Sequence, residues 1–344
     1  MIEIDGNYLE GGGQILRTAL SLSAITQKPC RIFNVSLATQ HLIEARALSE
    51  LCDGKLEGDK LGSQELIFYP AKIRSKTLTA RIESAESITL VLQTLFLPCL
   101  FSQNPIKIIF KGGATDTFFS PTIDYFQFVF LKILEKIFSQ KVAEVNIKKR
   151  GFYPEGGAEV EFEIFPAKIK PFNLTKKGEI KQITIISGAS ESLRKNKVAE
   201  RQISGVREIL SPKLKLPLKE IVEYYETLSP GNQINIVGDF ADTIIGADNL
   251  GKLGKSAEEV GKEAAQNFFK QGNSPGSLDK NMADQILPFM ALAGKTSKIS
   301  VSEITHHCLT NIWVIEKFVD GKFEINPVRN EVANGVKENL ITWL

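Results

Sequence analysis

A helix–strand–helix pattern recurs three times along the 344 residues, and this repetition constrains the fold more than any single motif. In the first copy, residues 12–26 read as an apolar helix, 30–35 as a strand and about 40–51 as a second helix. In the second copy the corresponding stretches are 85–101, 106–110 and 121–138. The last of these starts with a proline near its first turn, where the missing N–H costs nothing. In the third copy they are 282–293, 298–301 and about 308–318. Further strands are expected at 66–69, 78–82 and 159–164. The segment Glu159-Val160-Glu161-Phe162-Glu163-Ile164 alternates strictly, as a strand with one wet face does. Helices on one side of mixed sheets predict an α/β (α+β) fold in which one unit is used three times.

A long insertion, about residues 178–275, precedes the third copy and follows a different order. A strand is expected at 180–186, a helix at 197–210, a hairpin from 233–237 and 243–247, and a helix at 257–269. Its flanks, Thr175-Lys176-Lys177-Gly178 and Gly272-Asn273-Ser274-Pro275-Gly276, are polar and turn-rich, as linkers are. The expected organisation is a large domain of residues 1–177 plus 276–344 and a small inserted α/β domain of residues 178–275. The tail from Asn326 to Asn339 is polar and weakly patterned, is expected to be poorly ordered, and has no functional reading.

The hydrophobic fraction of 43% and charged fraction of 24% are those of an ordinary globular protein with ample length for a core. A net charge of +2 neither identifies a nucleic-acid binder nor excludes one with a local basic patch. Cys30, Cys52 and Cys99 lie in apolar surroundings and read as buried thiols; with Cys308 they form no CxxC pair, so structural zinc is not expected. The first residues lack the basic and apolar regions of a signal peptide, and the apolar run 88–101 is short for a bilayer. A cytoplasmic protein is expected.

The chain holds three histidines, His41, His306 and His307, so imidazole chemistry has few candidates. His306 and His307 fall between a strand and a helix, where active residues often sit. Neighbours in sequence point in different directions, so one of the two is expected to face a site. Glu10 precedes Gly11-Gly12-Gly13 and a helix carrying Arg17. Glycines there let backbone N–H groups approach an anion, and a helix N-terminus favours negative charge. Arg17 can extend such a site, and Glu10 belongs in it if it holds a divalent cation bridging phosphates. The bland alternative is a tight turn with a solvated glutamate.

Other motifs are equally two-sided. Gln40-His41 opens a helix, as a surface histidine or as a phosphate donor. Gly112-Gly113-Ala114-Thr115-Asp116, leading to Ser120-Pro121, is a turn or a wall for a nucleotide base. Arg150-Gly151-Phe152-Tyr153-Pro154 is a hairpin-like corner or an RNA-facing loop, because aromatics stack bases and Arg binds phosphate. Asp284-Gln285 caps a helix, or binds a ribose or orients an imidazole.

Taken together, the ordered motifs resemble the RNA 3′-terminal phosphate cyclases. The match runs through Asp5-Gly6, Glu10 to Arg17, Gln40-His41-Leu42, Leu61-Gly62-Ser63-Gln64, Leu90 to Thr94, Ser120-Pro121, Gly151 to Pro154, Ala283-Asp284-Gln285 and His307 to Asn311. The resemblance implies three repeated α/β units with a smaller inserted domain. It implies ATP as co-substrate, Mg²⁺ or Mn²⁺ as metal, and RNA with a 3′-phosphate end as partner. Histidine takes AMP from ATP, AMP passes to the RNA 3′-phosphate, and the neighbouring 2′-hydroxyl closes a 2′,3′-cyclic phosphate.

By the same resemblance, His307 is the nucleophile and Glu10 a metal ligand. Gln93, Pro121, Asp284 and Gln285 are nucleotide contacts, and Arg17, Gln40 and His41 contact the phosphate or RNA end. The chain departs from the family in three places. Ser36-Leu37-Ala38-Thr39 replaces a longer basic Pro-Gly segment, Glu83 and Glu86 stand where the family has glycines, and Ala158 replaces a glycine. The alternative reading is a non-catalytic cyclase-like protein that assists ribosome assembly; such relatives lack the nucleophilic histidine, so His307 favours the enzyme. A third reading is another phosphate-handling transferase built from repeated α/β units.

Overall fold

A computed structural model describes residues 1–74, 76–214, 216–328 and 338–344. The fold is α/β, with helices packed on four-stranded mixed sheets. In the first sheet Ile2–Asp5 pairs parallel with Cys30–Phe33, which pairs antiparallel with Glu65–Tyr69, which pairs antiparallel with Lys55–Glu57. The second sheet repeats that order with Leu78–Ser87, Ile106–Ala114, Glu159–Ile164 and Ala143–Lys149. The third repeats it again with Asn173–Leu174, Ser297–Val301, Glu338–Trp343 and Phe323–Val328. A helix crosses between the two parallel strands each time: Gly13–Thr26, Ile88–Leu100 and Lys280–Leu292. A second helix precedes the hairpin: Thr39–Leu51, a helical run from Ile123 through Phe138, and His306–Phe318.

The fourth sheet has a different order. Ile180–Ser190 pairs parallel with Leu218–Tyr225 and antiparallel with Asn232–Phe240, which pairs with Ile244–Leu250. Its strands and the helices Val198–Leu210 and Ala257–Asn273 fall inside the inserted stretch. That stretch enters after the short strand Asn173–Leu174, so it interrupts the third unit rather than preceding it.

Packing explains the elements. The strand Glu159–Ile164 buries Val160, Phe162 and Ile164 and turns its glutamates outward, as its alternation requires. Phe126 and Phe130 stack at 4.8 Å between centroids, with Phe96 edge-on to both at 5.8 and 5.4 Å. Each such buried side chain contributes roughly 1.5–3 kcal/mol. A separate apolar cluster, including Ile185, Ile236, Val260 and Phe268, fills the inserted stretch. All four cysteines are buried and free. No helix among the described residues is long and apolar enough to cross a membrane.

Several boundaries differ from expectation for local reasons. The second-copy helices start later than expected. Residues 85–87 finish a strand, and Ser87 caps the helix that follows by accepting from Leu90 N. Pro121 lies outside its helix, whose N-cap is Thr122. The strand Leu218–Tyr225, unread in the sequence, is a half-exposed edge strand with no buried face to give it periodicity. The tail is ordered where it is described: residues 326–328 and 338–339 belong to paired strands, anchored by Ile341 and by Trp343 packed against Phe323. Residues 329–337 of that tail lie outside the described residues.

Candidate functional site

His306 and His307 do not sit on a connection. They form the first turn of the His306–Phe318 helix, capped by Thr305, whose hydroxyl accepts from Cys308 N at 3.1 Å. Both imidazoles turn toward one carboxylate. His307 Nε2 lies 3.8 Å from Glu10 Oε1, and His306 Nδ1 lies 3.7 Å from Glu10 Oε2. The expectation that only one histidine faces the site therefore fails: Glu10 has two oxygens, and one reaches each ring. The Glu10 loop is tied to the same helix by its own N–H, which reaches Thr310 Oγ1 at 3.4 Å, and by Tyr8 stacked on Trp313 at 4.2 Å.

The glycines serve the turn more than the anion. Gly11 and Gly12 have φ of 68°, and their N–H groups bond to Tyr8 O and Gly6 O. Gly12 is the N-cap of the Gly13–Thr26 helix and offers no side-chain cap, so the first-turn N–H groups of that helix meet no side-chain acceptor there. Gly13 makes room for two functional side chains: a Cβ there would stand 2.7 Å from Arg17 Nη1 and 2.9 Å from His41 Nε2. His41 Nδ1 accepts from Ala38 N at 3.1 Å, so the proton of the neutral ring sits on Nε2, on the side of Gly13 and Arg17. Burial and the Arg17 charge lower the His41 pKa, favouring that neutral ring.

One polar chain links these residues to the rest. Arg17 Nη1 lies 3.5 Å from Glu44 Oε1, and Gln40 Nε2 donates to the same oxygen at 2.9 Å. Gln40 Oε1 accepts from Ser87 N at 2.7 Å, Ser87 Oγ meets Thr89 Oγ1 at 2.8 Å, and Thr89 Oγ1 donates to Pro121 O at 2.7 Å. On the other side, Gln14 Nε2 donates to Asp284 Oδ2 at 3.0 Å and Gln93 Nε2 to Gln285 Oε1 at 3.1 Å. Arg17, Gln93, Asp284 and Gln285 line one small cavity of about 50 Å³, beside Pro288 and Phe289.

Asp284 does not cap its helix. That is done by Asp279, whose carboxylate accepts from Asn281 and Met282 N and from the Tyr125 hydroxyl. Asp284 sits a turn later and is buried, with its pKa pushed up to about 7 by that burial. Thr18 Oγ1 donates to Asn311 Oδ1 at 2.7 Å, and Asn311 Nδ2 donates to the Asp284 carbonyl at 2.9 Å, which fixes the His307 helix to both neighbours.

Glu83 is exposed, and the carboxylate of Glu86 accepts from Ser84 Oγ. Arg150 is buried between Asp116 at 3.2 Å and Asp124 at 2.6 Å and stacks on the Tyr225 ring, partners that suit a structural corner. Sequence reasoning missed Glu44, Gln14, Thr18, Ser87 and Thr89. The signal for Glu44 was present: it interrupts a stripe of Leu42, Ala45 and Leu48 that packs inward.

A divalent cation such as Mg²⁺ usually takes one or two carboxylates and completes its shell with phosphate and water oxygens. Glu10, half-exposed beside two imidazoles, fits that donor set. Among the described residues no cluster of three or more His, Cys, Asp or Glu forms an all-protein cage.

The comparisons agree with the motif order. The family model described as RNA 3′-terminal phosphate cyclase matches residues 8–325. A relative of that name from Saccharolobus islandicus is 42% identical over 339 residues, covering 96% of this chain and 97% of its own length. Another from Pyrococcus abyssi is 41% identical and covers 95% of each chain, and one from Thermococcus kodakarensis is 42% identical and covers 94% of each. With the repeated fold, the Glu10–histidine pair and these matches together, the chain belongs to the RNA 3′-terminal phosphate cyclase family.

Proposed function

We propose that this chain is an ATP-dependent cyclase that converts an RNA 3′-phosphate to a 2′,3′-cyclic phosphate through a covalent His307–AMP intermediate. The observation that carries the reading is the placing of the His307 imidazole: exposed, in the first turn of a helix, and 3.8 Å from Glu10. An exposed ring can meet a substrate, and a helix start favours phosphate.

In the first step unprotonated Nε2 of His307 forms a bond to the α-phosphorus of ATP and pyrophosphate leaves. An oxygen of the RNA 3′-phosphate then bonds to that phosphorus while the N–P bond breaks, which frees the imidazole and leaves an RNA-linked AMP anhydride. Last, the adjacent 2′-hydroxyl attacks the activated 3′-phosphorus, loses its proton, and expels AMP. Proximity makes this closure fast once AMP is the leaving group. Gln93, Pro121, Asp284 and Gln285 hold the nucleotide, three of them lining one small cavity. Arg17, Gln40 and His41 hold the RNA phosphate. Glu10 would hold a divalent cation, Mg²⁺ or Mn²⁺, which would supply charge neutralisation for the phosphates.

Incubating an oligoribonucleotide ending in 3′-phosphate with the protein, ATP and Mg²⁺ tests the overall reaction. The expected product resists phosphatase and appears together with AMP and pyrophosphate. A 3′-phosphate that stays phosphatase-sensitive would leave the non-catalytic reading in place.

A further inference from the structure

Behind the phosphate-facing residues lies a carboxyl group that the reaction does not use. Glu44 is fully buried on the inner face of the Thr39–Leu51 helix. Its Oε1 accepts from Gln40 Nε2 at 2.9 Å and stands 3.5 Å from Arg17 Nη1. Its Oε2 has no hydrogen-bond partner. An ionised carboxylate so placed is costly, because one oxygen has lost water and gained nothing. Arg17 offsets part of that cost. The same Arg17 nitrogen also borders the partly exposed Gly13 beside His41 Nε2, so the guanidinium stands between a buried anion and the place where a second anion docks.

We propose that Glu44 is a positioning residue that couples docking of the RNA terminal phosphate to uptake of one proton. The proposal rests on reading Arg17, Gln40 and His41 as the site of that phosphate. Without phosphate, Glu44 holds Arg17 and Gln40 from behind. When phosphate engages Arg17, the guanidinium charge is shared with the newcomer and the compensation that kept Glu44 ionised weakens. The carboxylate then takes a proton from solvent and keeps its contact with Gln40. The site thereby avoids holding a buried carboxylate and a phosphate against one cation.

The surroundings leave Glu44 as the group that responds. Burial already pushes its pKa up to about 7, against the opposing pull of Arg17 and Gln40. The elements packed against its helix also carry Lys55, Glu57, Arg81 and Glu83, all exposed, and Glu86, which is bonded to Ser84. On its own helix Arg46 is paired with Asp59, Glu50 is exposed, and His41 faces Gly13 and Arg17. Arg17 is the charged partner within reach of Glu44.

The test is calorimetric binding, without ATP, of one short RNA ending in 3′-phosphate and the same RNA ending in 3′-hydroxyl. It compares the wild type with Glu44→Gln over about pH 6 to 9, in buffers of different ionisation heat. For the wild type, the preference for the phosphate end falls several-fold per pH unit above about pH 7, within the tenfold limit of one linked proton, with proton uptake in the heats. For Glu44→Gln the preference survives and this part of the slope disappears. Ionisation of the RNA phosphate, near pH 6, and of His41 is common to both proteins and cancels in the comparison. Equal slopes in the two proteins, or no proton uptake by the wild type above about pH 7, overturns the proposal. Should the variant fail to fold, the heats of His41→Asn decide: proton uptake above about pH 7 that persists without the imidazole supports the proposal, and its loss overturns it. Absence of any preference for the phosphate end in either protein overturns instead the reading of the cluster as a phosphate site.

Discussion

Glu10 Oε1 and His307 Nε2 lie 3.8 Å apart although they stand near opposite ends of the chain. The approach is made by the first and third repeated units, whose helices Gly13–Thr26 and His306–Phe318 pack side by side and are joined by the Thr18–Asn311 hydrogen bond. Threefold repetition thus brings a carboxylate to an imidazole that local sequence could not supply. Replacing Glu10 by Gln keeps the shape and removes the charge. Adenylation of the protein is expected to slow by about 10²-fold or more, since a metal ion contributes several kcal/mol to such steps. Rates measured against Mg²⁺ concentration check this, the variant requiring more metal.

His306 is as close to Glu10 as His307 is, at 3.7 Å, but through Nδ1. His306→Asn is expected to retain adenylation within about tenfold of wild type, as a neighbour that helps orient Glu10. Single-turnover labelling with α-labelled ATP measures it.

Gly13→Ala is a probe of the phosphate end. The nearest atoms to the new methyl group are the ends of Arg17 and His41, so those side chains give way first. Stability is expected to change by under about 1 kcal/mol, while KM for RNA 3′-phosphate rises by about tenfold or more. Thermal melts and steady-state kinetics separate the two effects.

Asp284 predicts a pH dependence of stability. Burial raises its folded-state pKa from 3.8 to about 7, so the folded state prefers the protonated form. The stabilisation is complete below the unfolded value and is lost as pH rises through about 7, an effect of up to about 4 kcal/mol. Asp284→Asn keeps an acceptor for Gln14 and cannot ionise. Urea midpoints of the variant should therefore fall less than those of the wild type between about pH 4 and pH 8.

Much of this was legible in the sequence. Strict alternation revealed the strand Glu159–Ile164, which has one buried face, and an apolar run of core-helix length revealed the helix Ile88–Leu100, which is buried on nearly every side. The edge strand Leu218–Tyr225, which buries no residue, stayed hidden. The motif residues Glu10, Arg17, Gln40, His41, Gln93, Asp284 and Gln285 could be picked out individually. Their connections could not: Ser87 and Thr89 join Gln40 to Pro121 through hydroxyl groups that look unremarkable in a sequence. The bland alternative for Asp284, a helix cap, looks sound locally because Asp near a helix start usually is one, yet Asp279 holds that place. For Arg150 the corner and the RNA-facing loop stay open in the sequence because its two buried carboxylate partners are distant along the chain.

The most direct test is covalent. Wild-type protein incubated with α-labelled ATP and Mg²⁺ is predicted to carry label through an acid-labile, alkali-stable bond, with peptide mapping placing it on His307 and His307→Ala abolishing it. Wild-type protein that takes up no label, or a His307→Ala variant that still does, would contradict the account.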